Sequence, residues 1–269
     1  MTDALFKQIG TTPRLENLIQ HFWVGEVTNA PGRNFTHVAV AQSSAQILIH
    51  YEGEFKASNL GDTTQKALVA VCYGPTLQHQ QYASFSKKAG IFGIKLSSFA
   101  IPALFAMPAS ELRDQSVALA DLLGSRSAAL EEKILAAKTG EEKARITASF
   151  FEDKLTGQKN KFRGIEYAVA CIHRTRGQAE VKSLVELSCL SPRQFERNFK
   201  ELTGFSAQTY LRIVRFEHAI GGFTGSEGSL TKFSLACGYY DQAHFNRDFK
   251  SFTGLTPHRY FALHPPAAT

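Results

Sequence analysis

The decapeptide FERNFKELTG, residues 195–204, returns fifty residues later as FNRDFKSFTG, residues 245–254. Aligned without a gap, 195–211 and 245–261 are identical at seven of seventeen positions: Phe195/Phe245, Arg197/Arg247, Phe199/Phe249, Lys200/Lys250, Thr203/Thr253, Gly204/Gly254 and Tyr210/Tyr260. A supersecondary unit written twice constrains a fold more than any composition can, because both copies must adopt the same local structure. The phenylalanines recur at i and i+4 and share one helical stripe, whereas the arginines lie off that stripe. One group of identities is packing and the other is surface.

Boundary signals frame each copy. Ser191 with Pro192, and Asp241, are N-cap and first-turn residues, and Gly204 and Gly254 suit the left-handed stop after a helix. Before the first copy, KSLVELSCLS supplies a short helix carrying Leu184 and Leu187 and then a tight turn. Before the second, Phe233 and Leu235 precede the turn CGYYD, with Gly238 where the first copy has Cys189 and one extra residue before the cap. These are helix-turn-helix dimensions. IEYAVACIHRT reads as a leading helix, and SAQTYLRIVRFEHAIGGF, with Tyr210, Leu211, Val214 and Ala219, as a long helix joining the two units.

The other face of each second helix is polar. The first presents Arg193, Gln194, Glu196, Arg197 and Lys200; the second presents Gln242, Ala243, Asn246, Arg247 and Lys250. Arginine can bond guanine bidentately, glutamine and asparagine adenine, glutamate can accept from cytosine, and alanine can meet a thymine methyl. Lys200 and Lys250, farther along, suit phosphate, which positions a protein without specifying sequence. Charge agrees with this division. Residues 1–160 carry 16 Lys+Arg against 15 Asp+Glu, whereas 161–269 carry 14 against 9, so the excess positive charge travels with the repeat. The expected partner is double-stranded DNA, read in the major groove.

The rest of the chain has another character. THVAVAQSSAQILIHYEG and KALVAVCYGPTLQHQQYASFSKKAGIFGIKLSS are rich in β-branched and aromatic residues broken by turns, so 1–108 reads as a β-rich domain. Beyond Pro108, residues 109–155 carry the leucine and alanine spacing of two or three amphipathic helices, a candidate dimerisation surface. Residues 156–164 read as a linker, and 165–269 as the all-helical domain. The fold class expected is α+β, with a β-rich first domain, a helical extension and a C-terminal all-α domain.

Catalysis finds little support. The chain has no GxSxG elbow, Walker loop, HExxH or dinucleotide fingerprint. Cys72, Cys171, Cys189 and Cys237 are scattered and read as small buried hydrophobes, and His37, His50 and His79 are far apart, so neither metal nor cofactor is expected. Trp23, Tyr51, Tyr73, Tyr82, Phe85, Phe92 and Phe99 could line an apolar pocket, although aromatics on strands are more often core. MTDALFKQIG lacks a basic segment followed by an apolar run, and no stretch approaches the roughly 18 apolar residues of a membrane span. A soluble cytoplasmic protein without a membrane partner is expected.

The segment LSPRQFERNFKELTGFSAQTYLRIVRFEHA, with GYYDQAHFNRDFKSFTGLTPHRYF, strongly resembles the DNA-binding domain of AraC/XylS-type transcription regulators over about residues 164–260. By that resemblance Arg193, Glu196 and Arg197, and Gln242, Ala243, Asn246 and Arg247, hold positions that approach bases. Val185 and Ser234 depart from the family's usual alanine, Cys189 from its turn glycine, and Ala207 from its proline after Ser206. Through IQHFWVGE and GIFGIKLSSFAIPALFAMPASELRDQSVALADLLG, the N-terminal half is similar to a subgroup with a β-rich, cupin-like sensor domain. What this implies is a regulator, with activator the expected mode, whose N-terminal domain binds a small-molecule effector or mediates homodimerisation, and with RNA polymerase as a further partner if it activates. Two other readings stand beside it. One keeps DNA binding but makes the N-terminal half a ligand-free dimerisation or protein-partner module, and the other is a cupin-like metalloenzyme.

Overall fold

Short β-rich runs in the first hundred residues form two antiparallel sheets in the computed structural model, which describes residues 3–31, 35–58, 69–155, 162–224 and 229–264. The strands are β1 Asp3–Ile9, β2 Ile19–Thr28, β3 Phe35–Ala39, β4 Gln46–Glu52, β5 Lys56–Ser58, β6 Ala70–Tyr73, β7 Gln80–Ser84, β8 Lys88–Leu96 and β9 Ser116–Ala118. One sheet has the order β1-β2-β8-β4-β6-β9 and the other β3-β7-β5. The helices that follow are α1 Ala100–Phe105, α2 Leu119–Leu123, α3 Arg126–Ala136 and α4 Gly140–Lys154. Together these make one of two compact units; the other contains Val40–Ser43, Thr76–His79 and Asn160–Thr269.

Aromatic side chains over glycines shape the centre of the larger sheet. A Cβ on Gly93 would lie 2.0 Å from the Trp23 indole, and one on Gly90 would lie 2.4 Å from the Tyr51 ring. Only glycine lets those rings lie flat on β8. On the buried side Phe22 stacks on Phe92 at 5.9 Å between centroids, and Ile47, Ile49, Ile94 and Leu96 surround them. Leu104, Leu130, Ile134 and Phe151 belong to the same core, so the helical extension contributes to it directly. Lys143 is buried in α4, donating to the Ile134 and Ala137 carbonyls at the end of α3 and lying 4.6 Å from the Tyr51 ring centre. That ammonium satisfies carbonyls a helix end leaves without partners.

Three expectations change here. Residues 116–118 form a strand inside the run expected to be helical, because β6 requires a partner and Val71, Cys72 and Tyr73 pair with Ala118, Val117 and Ser116. Phe92 is core, but Phe85 is 61% exposed, so the aromatics do not act as one group. Of the cysteines, Cys72 and Cys237 are buried, whereas Cys171 is half-buried and Cys189 exposed. No helix among the described residues is long and apolar enough to cross a membrane.

The second unit is helical: α5 Arg163–Arg174, α6 Val181–Ser188, α7 Pro192–Thr203, α8 Ala207–Gly222, α9 Leu230–Ala236, α10 Gln242–Thr253 and α11 Pro257–Leu263. Thr156–Lys161 of the expected linker lie outside the described residues. Its last residues, Arg163 and Gly164, already belong to α5, where a Cβ on Gly164 would lie 2.4 Å from the Ser188 carbonyl oxygen.

The core of the first unit makes a direct prediction. Phe92→Ala should cost about 3–5 kcal/mol, the usual range for a fully buried phenylalanine, read as a lower urea midpoint with unchanged slope.

Candidate nucleic-acid interface

Five of the seven repeated residues build the two copies. Phe195 and Phe199 on α7, and Phe245 and Phe249 on α10, are buried. Tyr210 meets Phe199 edge-on at 5.5 Å, and Tyr260 meets Phe249 the same way at 5.3 Å. The repeated threonines tie off the helices: Thr203 Oγ1 donates to the Phe199 carbonyl at 2.9 Å, and Thr253 Oγ1 to that of Phe249 at 2.8 Å. The glycines follow with φ of 87° at Gly204 and 73° at Gly254, the left-handed region that glycine enters without strain.

The remaining two identities have no such use. Arg197 and Arg247, and Lys200 and Lys250, are exposed, and none forms an ion pair among the described residues.

Helix starts are fixed locally. Ser191 caps α7 in a capping box with Gln194, and Asp241 caps α10 by accepting from the His244 N–H at 2.6 Å. Before each helix the chain turns through a left-handed residue, Cys189 with φ 55° and Gly238 with φ 81°. Cys189 thus takes the glycine conformation at some cost, and its thiol faces solvent.

Around α7, Arg193, Gln194, Glu196, Arg197 and Lys200 are all exposed, with Arg193 and Arg197 one turn apart. The Gln194 carboxamide is engaged, its Oε1 accepting from Ser191 Oγ at 2.9 Å and from the Ser191 N–H at 3.3 Å. On α10, Ala243, Arg247 and Lys250 are exposed, while Gln242 and Asn246 are half-buried. Thr231 donates to Gln242 Oε1, and Asn246 Oδ1 is buried without a hydrogen-bond partner among the described residues.

Sequence reasoning passed over the groups that orient α10. Asp248, 4% exposed, accepts from Arg212 Nη2 at 2.7 Å, so α8 grips α10 through an ion pair, and His244 Nε2 lies 3.7 Å from the same carboxylate. Arg215 donates to the Gly177 carbonyl through Nη2 at 2.8 Å and lies over the Tyr239 ring. The available signal was an acid at 248 between Arg247 and buried Phe249, where the first copy has Asn198. Tyr240 was also missed; it is 87% exposed in the second turn, a position open to a phosphate backbone.

Under Tyr210, His173 Nε2 hydrogen-bonds the phenol at 2.9 Å. Burial pushes this imidazole below its ordinary 6.5, with the Glu217 carboxylate opposing. Among the described residues no three His, Cys, Asp or Glu side chains are grouped to hold a metal.

Residues 184–262 match the model of a helix-turn-helix domain, and residues 7–118 match that of a domain of unknown function, DUF6597. An uncharacterized HTH-type transcriptional regulator of Haemophilus influenzae is 29% identical over 92 residues, 34% of this chain and 31% of that protein. The HTH-type transcriptional activator RhaR of Yersinia pseudotuberculosis is 34% identical over 71 residues, 26% of this chain and 24% of that protein. The match therefore spans about a third or less of these relatives. Among solved structures, ToxT from Vibrio cholerae O395 is similar along 99% of both chains at 10% identity, with a TM-score of 0.49. The DNA-binding domain of AdpA, solved with a target DNA, is 23% identical, covering 39% of this chain and 98% of that domain, with a TM-score of 0.36.

Two outcomes are expected. Asp248→Ala should lower the stability of the helical unit by about 1–3 kcal/mol in urea denaturation, a range discounted because Arg212 is 39% exposed. Because His173 titrates lower folded than unfolded, its contribution is complete above pH 6.5 and is lost as the pH falls through the folded value. Urea midpoints at pH 7.5 and 5.5 should differ less in His173→Gln, which cannot gain a proton.

Proposed function

We propose, from the match of residues 184–262 to a helix-turn-helix domain and the resemblance of the same segment to AraC/XylS-type regulators, that this chain is a sequence-specific DNA-binding transcription regulator carrying two recognition helices, α7 and α10. The observation that carries the reading is the exposed Arg-and-Lys pair repeated on two helices whose other identities are structural. In this reading Arg193, Glu196 and Arg197 approach bases from α7, and Gln242, Ala243, Asn246 and Arg247 do so from α10. Lys200 and Lys250 hold phosphates. Gln194, engaged at its cap, sets the start of α7 more than it reads sequence.

The N-terminal unit serves as the control domain, responding to a small-molecule effector. A separate core and a helical extension packed into it support that role. The same extension favours a second reading, in which α3 and α4 mediate homodimerisation. Leu135 is exposed near the end of α3 and agrees with it. A homodimer and contact with RNA polymerase are parts of the proposal for an activator, as is a cytoplasmic location.

Two helices entering successive turns of one groove lie near 34 Å apart, so the site should contain two blocks about 10 base pairs apart. Selection from random duplex DNA with the full-length chain at about 0.15 M salt tests this; a bound pool without sequence preference would sink it. Arg197→Ala and Arg247→Ala should each cost about 1–3 kcal/mol and relax preference at particular bases. Lys200→Ala should weaken all sequences alike and flatten the salt dependence. Equal, sequence-independent losses for all three would contradict the assigned roles.

A further inference from the structure

Between α3 and α4 lies an open groove of about 490 Å³ that the DNA-binding reading does not use. Only Ala137–Thr139 connect the two helices, so they run antiparallel as a helical hairpin. Along α3 the groove is lined by Arg126, Leu130 and Lys133, and along α4 by Arg145, Ile146 and Phe150, with Ser149 and Asp153 at its edge. Leu130 is buried and Ile146 and Phe150 half-buried, giving an apolar floor, whereas Lys133 and Arg145 are exposed.

Antiparallel packing sorts the charges. Lys133, near the end of α3, falls beside Arg145, near the start of α4; Arg126, at the start of α3, falls beside the end of α4. The Lys154 ammonium reports the second juxtaposition, since burial first and the Arg126 charge second hold it below its usual value. Asp153 is therefore at the Arg126 end. Lys133 and Arg145 form no ion pair among the described residues. The groove has a cationic end whose Lys133 and Arg145 are not ion-paired among the described residues, an apolar middle and a mixed far end.

We propose that this groove binds a small organic monoanion, its carboxylate between Lys133 and Arg145 and its apolar body over Leu130, Ile146 and Phe150. An inorganic anion would leave the floor uncovered, and a nucleic acid backbone would meet Asp153. The volume lies within the roughly 300–1,000 Å³ typical of small-molecule sites. The inference rests on the effector-controlled reading and assigns its ligand class and its place in the N-terminal unit.

Isothermal titration of the full-length chain with 4-cyclohexylbutyrate, with its neutral amide and with inorganic phosphate tests the proposal. Carboxylate binding is expected to be about tenfold or more tighter than amide binding, with phosphate weaker still. Lys133→Gln and Arg145→Gln should each lose about tenfold in affinity, and Ser149→Trp, which fills the groove, should abolish binding. Lys88→Gln, on β8, should behave as the unaltered chain. Thermal melts confirm that each variant folds. Absence of carboxylate binding, or equal binding of amide and carboxylate, overturns the proposal. Carboxylate binding insensitive to Lys133 and Arg145 also overturns it, while leaving an effector at another site. Sedimentation in which these substitutions dissociate a dimer without changing ligand affinity would make the groove a subunit interface instead. DNA selection without ligand reads the regulator assignment independently of all these outcomes.

Discussion

The same aromatic contact recurs in both copies of the repeat, on α7 and on α10: the edge of a tyrosine against the second phenylalanine of the helix stripe. Tyr210 meets Phe199 and Tyr260 meets Phe249, at nearly equal distances and with interplanar angles of 79° and 76°. Around that contact everything else in the unit is arranged: the first phenylalanine packs one turn away, the threonine closes the helix end, and glycine releases the chain. Aromatic pairs of this geometry contribute about 0.5–1.5 kcal/mol beyond their area. Their larger effect is directional, because a stripe pinned on one side must present the opposite side, with Arg197 or Arg247, outward.

That logic was legible in the sequence because it is local. The i, i+4 phenylalanines, the capping residues and the glycine stops each act within a turn or two, and the repetition supplied an internal check. Gly204 and Gly254 adopt the left-handed conformation their position implied, and Cys189 adopts it too, without being glycine. What the sequence concealed was non-local. β9 exists because β6 has backbone groups to satisfy, and nothing in QSVALADLLG announces a strand partner more than forty residues earlier. Asp248 reads as a surface acid until α8 places Arg212 against it.

The two units are therefore copies in architecture and not in polar detail. The first leaves Arg193, Glu196 and Arg197 exposed, with the Gln194 amide occupied by a capping box. The second offers Ala243 and Arg247 openly, with Gln242 held by Thr231 and Asn246 half-buried. A charged face gains much of its affinity from phosphates and guanines, while an amide-bearing face gains discrimination from oriented hydrogen bonds. In the proposed regulator each face gives one lysine to phosphate, so the two blocks of a site would share their salt dependence and differ in how their bases are read.

Net charge is a poor guide to how strongly such a domain holds DNA, and the arginines of α8 show why. Residues 161–269 carry 14 Lys+Arg against 9 Asp+Glu, yet Arg212 is bound to Asp248 and Arg215 to the Gly177 carbonyl. Asp248 already cancels Arg212 in that count, whereas Arg215 is counted in full although its guanidinium is held at an internal carbonyl. On the outward faces of α7 and α10, Arg193, Arg197, Lys200, Arg247 and Lys250 are exposed and form no ion pair among the described residues. The slope of affinity against salt follows phosphates contacted, at about 0.9 per phosphate, and so reports the exposed lysines and arginines of the two faces. Charge turned inward fixes the angle of α10, and charge turned outward sets affinity; the fold separates the two by which side of a helix each residue occupies.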